Sequence, residues 1–157
     1  MRTTTYATSM SIVTSHKPHF HESRIWDCLF LTLPKIETES GAITSINGTN
    51  QIHFLPKRVY YLYDVPGGSE RGGHAHRGLH QLIVAAGGSF DVLIDDGNMK
   101  KTVSLNRPYH GLLVVPGIWR ELMNFSSGAT CLVLASEVYD GEDYLYDHSE
   151  FVRLKHV

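Results

Sequence analysis

Residues 89–105 have the sequence SFDVLIDDGNMKKTVSL, two short runs joined by the polar segment Asp95-Asp96-Gly97-Asn98. Apolar and polar side chains alternate in these runs, a pattern typical of a strand with one buried face. An Asp-Gly pair between two such runs is a strong signal for a β-hairpin. The stretch therefore predicts a hairpin of two antiparallel strands, 89–95 and 100–105.

The same pattern of short apolar runs continues on both sides of this hairpin, from Leu29 onward. Turn signals rich in Gly, Pro, Asn, Asp and Ser separate short apolar runs, and no amphipathic helix of ten residues stands out. At most, a short helix is expected near 141–146. Many short strands at regular spacing predict an all-β sandwich or barrel. The predicted strands are 28–33, 42–46, 58–64, 73–77, 81–86, 89–95, 100–105, 111–115, 120–125 and 130–136.

The length of 157 residues predicts one catalytic domain over 29–157. Residues 1–28 are polar and are predicted to be a leader that is flexible or contacts a second subunit. The formal net charge of −2 offers no basic surface to nucleic acid. No run of about 18 apolar residues and no signal-peptide core is present, which predicts a cytoplasmic protein without a membrane span. The two cysteines, Cys28 and Cys131, are not a disulfide framework.

Residues 71–76 have the sequence RGGHAH. In a strand, side chains at i and i+2 point to the same face, so His74 and His76 are expected to project together. Imidazole is a common metal ligand and also the side chain that titrates nearest neutral pH. The pair therefore predicts either a metal site or a proton-transfer site.

Several motifs resemble the sugar 3,4-ketoisomerases in sequence and in order. They are RGGHAHR at 71–77, GSFDVLIDDG at 88–97 and VVPGIWRELMNFSSGATCLVLASEVYDGEDYLYD at 114–147, and KRVYYLYD at 57–64 precedes them. The resemblance runs from about 30 to 153 and implies an antiparallel cupin jelly roll that acts on dTDP-4-keto-6-deoxyglucose. One position departs from the family pattern, since His80 stands where a glutamate is usual before Gln81.

A metal-binding cupin adds a carboxylate to its first motif and a histidine to its second. Here Gln81 occupies the carboxylate position, and Trp119 and Arg120 stand where the ligand histidine would be. Two imidazoles are a poor site for a divalent ion, and a guanidinium would repel it. The carboxylate of Glu121 could still serve as a metal ligand, so metal binding remains an alternative. The sequence nevertheless predicts that the protein uses no metal and no cofactor, and that His74 and His76 act as acid and base.

Moving a ketone from C4 to C3 requires removal of the C3 proton, an enediolate and protonation of C4. General acid–base catalysis by imidazole suits each transfer. Fixed donors would stabilise the enediolate, and Arg71 and Tyr60 are predicted for that role. Arginine matches phosphate oxygens, and an aromatic ring can stack on thymine. The predicted substrate-binding residues are Arg77, Gln81, Arg107, Trp119 and Arg120.

The run 131–135, CLVLA, is apolar on both faces, which places it in the core or at a subunit interface. Together with the strand-mediated dimers that the resemblance implies, it predicts a homodimer. Three alternatives to an isomerase remain open. They are a 3,5-epimerase on similar nucleotide sugars, a non-catalytic sugar-binding cupin and a metal-dependent dioxygenase. The tandem histidine motif argues against the epimerase, whose histidine pairs with an aspartate and a tyrosine.

Overall fold

A computed structural model describes residues 19–48 and 51–157. The described chain is dominated by short antiparallel strands, as the turn and alternation pattern predicts. The elements are β1 Leu29–Thr32, β2 Lys35–Thr38, β3 Gly41–Thr44, β4 Arg58–Leu62, β5 Arg71–His76, β6 Gln81–Gly87, β7 Phe90–Asp95, β8 Lys100–Leu105, β9 His110–Val114, β10 Trp119–Met123, β11 Thr130–Ala135, β12 Tyr144–Leu145 and α1 His148–Lys155.

Ten of these strands form two five-stranded sheets. The first sheet has the order β1-β9-β6-β11-β4, the second has the order β12-β5-β10-β7-β8, and β2 and β3 form a separate hairpin. The inward side chains of the two sheets make one apolar core, with Ile83 and Val133 from the first sheet and Phe90 and Ile94 from the second. Two antiparallel sheets that enclose a shared core confirm the predicted jelly roll.

The β7–β8 hairpin forms where Asp96 and Gly97 predict it. The Asp96 carboxylate accepts hydrogen bonds from the backbone N–H groups of Asn98 and Met99, each at 2.9 Å. Gly97 has a φ of 88°, a conformation that costs glycine little. The same carboxylate also accepts from the backbone N–H of Ile25 at 3.1 Å, so the hairpin turn holds the chain that leads into β1.

The predicted short helix near 141–146 forms in part, but the sequence did not predict the α-helix that follows it. Residues Gly141–Asp143 form only a 3₁₀ turn, and the α-helix follows it at His148–Lys155. Asp147 caps that helix by accepting from the Glu150 N–H at 2.9 Å, and Phe151 is completely buried. A helix of two turns is too short for its periodicity to stand out in the sequence. The sequence also failed to predict β2 and β12.

The last part of the predicted leader packs on the domain. Ile25 is only 5% exposed, and the backbone carbonyls of Phe20 and Ser23 each accept a hydrogen bond from Lys155 Nζ at 2.7 Å. Residues 1–18, which make up the rest of the leader, lie outside the described residues. In the described ranges, no helix is long and apolar enough to span a membrane.

Gly117 lies where the N-terminal segment passes closest to the domain. Its φ is 74°, and a Cβ there would lie 2.2 Å from the backbone oxygen of Phe20. We therefore expect Gly117→Ala to lower the free energy of unfolding by at least about 2 kcal/mol, because strain and a backbone clash combine. Gly87→Ala is the control, since no atom lies within 4 Å of its Cβ position. Equal melting temperatures for the two variants in thermal denaturation would contradict this packing.

Candidate active site

A cavity of about 250 Å³ opens between the two sheets. Its walls come from the inward faces of β4, β5, β6, β10 and β11, together with one tyrosine of β12. Arg58, Tyr60 and Leu62 share the cavity face of β4, as alternation along a strand requires, whereas Val59 and Tyr61 point outward. The lining residues are Arg58, Tyr60, Leu62, Arg71, Gly72, His74, Gln81, Ile83, Arg120, Leu122, Val133 and Tyr144.

The two histidines of β5 are neighbours, as their spacing predicts, but they occupy different layers. Their ring centroids lie 4.9 Å apart in an edge-to-face arrangement. His74 lines the cavity, whereas His76 is 0% exposed and lies against Tyr144 with a centroid distance of 4.3 Å. A ligand in the cavity would therefore contact His74 first, and His76 lies behind it.

Asp143 orients His76. The Asp143 Oδ2 atom lies 2.8 Å from His76 Nδ1, and its Oδ1 accepts from the backbone N–H of Gly78 at 2.7 Å. A carboxylate beside Nδ1 requires a proton on that nitrogen, which leaves Nε2 as the unprotonated nitrogen. His76 Nε2 is buried without a hydrogen-bond partner among the described residues. The arrangement supplies a proton acceptor in a fixed tautomer.

Both imidazoles are neutral at pH 7. Burial, helped by the positive charge of Arg120, lowers the pKa of His74 to about 3. The same two causes lower the pKa of His76 to about 4, although Asp143 opposes them. At neutral pH each ring is therefore able to accept a proton, which is the property that a base acting on a C–H bond needs.

Arg120 contributes a positive charge to the cavity. The residue is 1% exposed, and its Nε, Nη1 and Nη2 atoms have no hydrogen-bond partner among the described residues. Burial lowers the pKa of its guanidinium to about 10, so the group stays protonated at pH 7. An unpaired buried cation is costly unless a ligand pairs with it. Its donors are therefore suited to an oxygen that becomes negative during a reaction.

Tyr60 and Gln81 form a second polar group in the cavity. The Gln81 side-chain amide donates to the Tyr60 hydroxyl at 2.9 Å. Burial raises the pKa of Tyr60, which keeps the phenol protonated. Because the hydroxyl oxygen already accepts from Gln81, its own proton is available to a ligand. Both residues line the cavity, where a ligand could contact them.

Three of the predicted substrate-binding residues do not line the cavity. Trp119 is 4% exposed and packs on the outer face of the second sheet against Phe151, with its indole N–H donating to Glu121. Trp119 and Arg120 are consecutive in β10, so only one of them can point inward.

The other two predicted residues are arginines that lie away from the cavity. Arg77 follows the end of β5 and is exposed, and Arg107 lines a separate groove with Lys35 and Tyr109. His80 is buried but does not line the cavity, and its Nδ1 atom lies 2.7 Å from His53 Nε2.

The structure adds three site residues that sequence reasoning missed. Arg58 donates from Nη2 to the Tyr144 hydroxyl at 3.3 Å, and its guanidinium lies 5.1 Å from the Tyr60 ring centroid. The third residue, Asp143, is the partner of His76. The i, i+2 spacing of Arg58 and Tyr60 was a usable signal for Arg58. No local spacing indicates Asp143 or Tyr144, because β12 reaches β5 only through the tertiary fold.

An antiparallel jelly roll with neutral histidines and a buried arginine in the cavity between its sheets is a cupin-type protein equipped for acid–base chemistry. The family model described as "FdtA: WxcM-like, C-terminal" matches residues 26–156. The chain therefore belongs to this family.

The relatives with similar sequences and structures are sugar isomerases. The chain is 40% identical over 121 residues to the TDP-4-oxo-6-deoxy-alpha-D-glucose-3,4-oxoisomerase of Aneurinibacillus thermoaerophilus, covering 77% of this chain and 87% of the relative. A 3,4-ketoisomerase structure from Helicobacter canadensis has a TM-score of 0.81 and 37% identity, covering 83% and 98% of the two chains. The TDP-bound ketoisomerase of Thermoanaerobacterium thermosaccharolyticum has a TM-score of 0.82 and 33% identity, covering 85% and 97%.

Proposed function

We propose that the protein is an isomerase that converts TDP-4-keto-6-deoxyglucose to its 3-keto isomer. The observation that carries this proposal is that neutral His74 and the unpaired cation of Arg120 line one cavity. A base on a C–H bond and a cation for the adjacent oxygen are what enolisation of a ketone requires. The similarity to sugar 3,4-ketoisomerases in sequence and structure supports the same chemistry.

The reaction begins when His74 accepts the proton on C3. The C3–H electron pair forms the C3–C4 double bond, and the C4 carbonyl oxygen becomes negative beside Arg120 and the Tyr60 hydroxyl. A proton then moves from the C3 oxygen to the C4 oxygen, and a proton is returned to C4. His76, which lies behind His74 and does not line the cavity, takes part only through His74. The C3 oxygen is left as the ketone. No electrons are gained or lost, so no redox cofactor takes part.

Arg71, which the sequence predicted to stabilise the enediolate, is here proposed instead as the anchor for the diphosphate. The cavity of about 250 Å³ is small beside pockets that enclose drug-sized ligands, which measure about 300–1,000 Å³, so it fits the sugar and leaves the nucleotide outside. Arg71 is exposed where it borders the cavity, and arginine binds phosphate oxygens in a bidentate geometry. Arg77, Arg107 and Trp119 have no part in this proposal, because none of them borders the cavity opening as Arg71 does.

A 3,5-epimerase is the second candidate, and one observation favours it. The sequence argument against an epimerase was that the tandem histidine motif differs from the epimerase pattern of a histidine with an aspartate and a tyrosine. In the structure, however, His76 and Asp143 form a histidine–aspartate pair at 2.8 Å. Incubation with TDP-4-keto-6-deoxyglucose and identification of the product by NMR separates the candidates. A 3-keto sugar with unchanged C5 is the expected product. Inversion at C5 would favour the epimerase, and an unchanged sugar would favour a binding protein.

We expect turnover to persist in the presence of a chelator. Within residues 19–48 and 51–157, no group of three His, Cys, Asp or Glu side chains could hold a metal ion. Glu121, the carboxylate that the sequence left open as a ligand, accepts the indole N–H of Trp119, and Arg120 places a cation beside the histidines. The measurement compares turnover before and after EDTA treatment, with metal analysis of the protein. Loss of activity that one divalent ion restores would contradict the proposed metal-free site.

We propose that the protein is a homodimer that associates through the outer face of the first sheet. Val59 and Tyr61 on edge strand β4 are 59% and 60% exposed, and Ile36 and Ile43 of the β2–β3 hairpin are 46% and 63% exposed. An isolated two-stranded hairpin is marginally stable in water, so contact with a second subunit would stabilise it.

The cytoplasmic location of the protein stays a prediction from the sequence.

Tyr61→Lys is expected to shift the protein from dimer to monomer, because it places a charge in the proposed interface. Size-exclusion chromatography with light scattering measures the mass at several concentrations. Thr102→Lys, at an exposed position of β8 in the other sheet, is the matched control and should stay dimeric. A monomeric native protein, or a Tyr61→Lys variant that stays dimeric, would contradict the proposed interface.

A further inference from the structure

A groove on the outer face of the first sheet lies back to back with the cavity. Its volume of about 470 Å³ falls within the range of about 300–1,000 Å³ that is typical of small-molecule sites. Val84 and Leu132 form part of its floor, whereas their neighbours Ile83 and Val133 line the cavity. Because successive side chains of a strand point to opposite faces, the groove and the cavity share β6 and β11 but no lining residue. The groove is therefore separate from the proposed active site.

The β2–β3 hairpin forms one wall of this groove. Lys35 pairs with Thr44 across the hairpin, Ala42 lies on the same face, and all three side chains line the groove. Ile36 pairs with Ile43, so these two side chains project from the opposite face of the hairpin. The proposed dimer contact at Ile36 and Ile43 therefore leaves the groove side of the hairpin open.

The groove has a positive rim. None of the described residues that line it is acidic, and two of them, Lys35 and Arg107, are cations. Lys35 Nζ lies 5.2 Å from the centroid of the Tyr109 ring and 3.1 Å from Glu37 Oε1, so Glu37 offsets part of its charge. Arg107 donates from Nη1 to the backbone oxygen of Asn106 at 2.7 Å, and no carboxylate of the described chain pairs with it. Its guanidinium is therefore available to an anion.

We infer that the groove is a second ligand site, and that its ligand is a small organic anion with an apolar body, such as an aryl or acyl carboxylate, phosphate or sulfonate. The aliphatic side chains of Ile46, Val84 and Leu132 gain free energy when an apolar body covers them. The two cations of the rim favour a negative group on the same molecule. An inorganic anion would leave the aliphatic floor in water, and a neutral apolar molecule would leave Arg107 without a counter-charge.

The test uses 8-anilinonaphthalene-1-sulfonate, a fluorescent probe that combines an apolar aromatic body with one sulfonate. We expect one probe to bind to each chain of the native protein. Saturating TDP should not displace it, because TDP is proposed to bind at the cavity. N-phenyl-1-naphthylamine has the same body without the sulfonate, and it should bind at least about fivefold more weakly, the effect of one exposed charge pair. Added salt should weaken binding of the sulfonate only, since exposed charges are screened.

Two variants assign the probe to the groove. Arg107→Met removes the unpaired cation and should weaken binding of the sulfonate by about fivefold. Ala86→Leu places a larger side chain at an exposed position of the lining and should weaken binding by narrowing the groove. Arg77→Met is the matched control, because Arg77 is exposed and does not line the groove. Its affinity for the probe should equal that of the native protein.

Light scattering during the titration separates a ligand site from a contact between two copies of the chain. The mass should stay constant as the probe binds. A mass that falls with bound probe would show that a second copy occupies the groove, and it would overturn the inference. Displacement by TDP, equal affinities for the sulfonate and its neutral analogue, or native affinity in both Arg107→Met and Ala86→Leu would overturn it as well.

Discussion

Replacing His74 with asparagine is expected to reduce turnover of TDP-4-keto-6-deoxyglucose by about 10²–10⁴-fold, the usual contribution of a general base. Asparagine keeps the bulk and hydrogen bonding of the side chain but cannot accept the C3 proton. His74 lines the cavity, whereas His76 is buried behind it, so His76→Asn should have the smaller defect. Steady-state kinetics measures both variants, and TDP binding by calorimetry should change little because the nucleotide lies outside the cavity.

His110→Asn is the control for this series. His110 is half-buried in β9 and does not line the cavity, so the same substitution there should leave turnover unchanged. Near-native turnover of both His74→Asn and His76→Asn would show that the pair has a structural role only. A larger defect in His76→Asn than in His74→Asn would reverse the roles that the burial of the two rings suggests.

Replacing Arg120 with methionine is expected to reduce turnover by about 10²–10³-fold, the cost of removing a donor from a developing oxyanion. Methionine fills the buried volume without the charge, and the variant should fold because the lost guanidinium has no hydrogen-bond partner among the described residues. Circular dichroism checks the fold, and kcat from steady-state kinetics measures the loss. Arg153→Met, at an exposed position of α1, is the matched control.

The Arg120 variant should also change the pH profile. Burial is the largest cause of the low pKa of His74 and the charge of Arg120 is the next, so loss of the charge raises this pKa only in part. The fall in kcat on the acid side should therefore move to higher pH in Arg120→Met. The native protein, whose His74 has a pKa of about 3, should stay active well below pH 6. The proposed role of Arg120 would be contradicted if Arg120→Met had the same kcat as the native protein and its kcat fell over the same acidic pH range.

The fold was predictable because its signals are local. Turn chemistry at Asp96-Gly97 and alternation along the strands predict hairpins and sheets without knowledge of their partners. The same local signal places His74 and His76 side by side. It also shows that Trp119 and Arg120 cannot both face one cavity, although both were predicted to bind substrate.

The remaining errors concern residues whose place depends on the tertiary fold. Asp143 is 67 positions from His76, and only the pairing of β12 with β5 brings the two together. Arg107 and Arg77 have the right chemistry for phosphate, but they lie beyond the ends of strands, where alternation does not determine their direction.

The central claim is that neutral His74 moves the proton on C3, and solvent isotope exchange tests it most directly. The native protein and His74→Asn are incubated with TDP-4-keto-6-deoxyglucose in deuterated buffer and followed by NMR. The native protein is predicted to form the 3-keto isomer with deuterium at C4 and to leave deuterium at C3 of the recovered substrate, whereas His74→Asn should do neither. Deuterium entering C3 as fast with His74→Asn as with the native protein would contradict the claim.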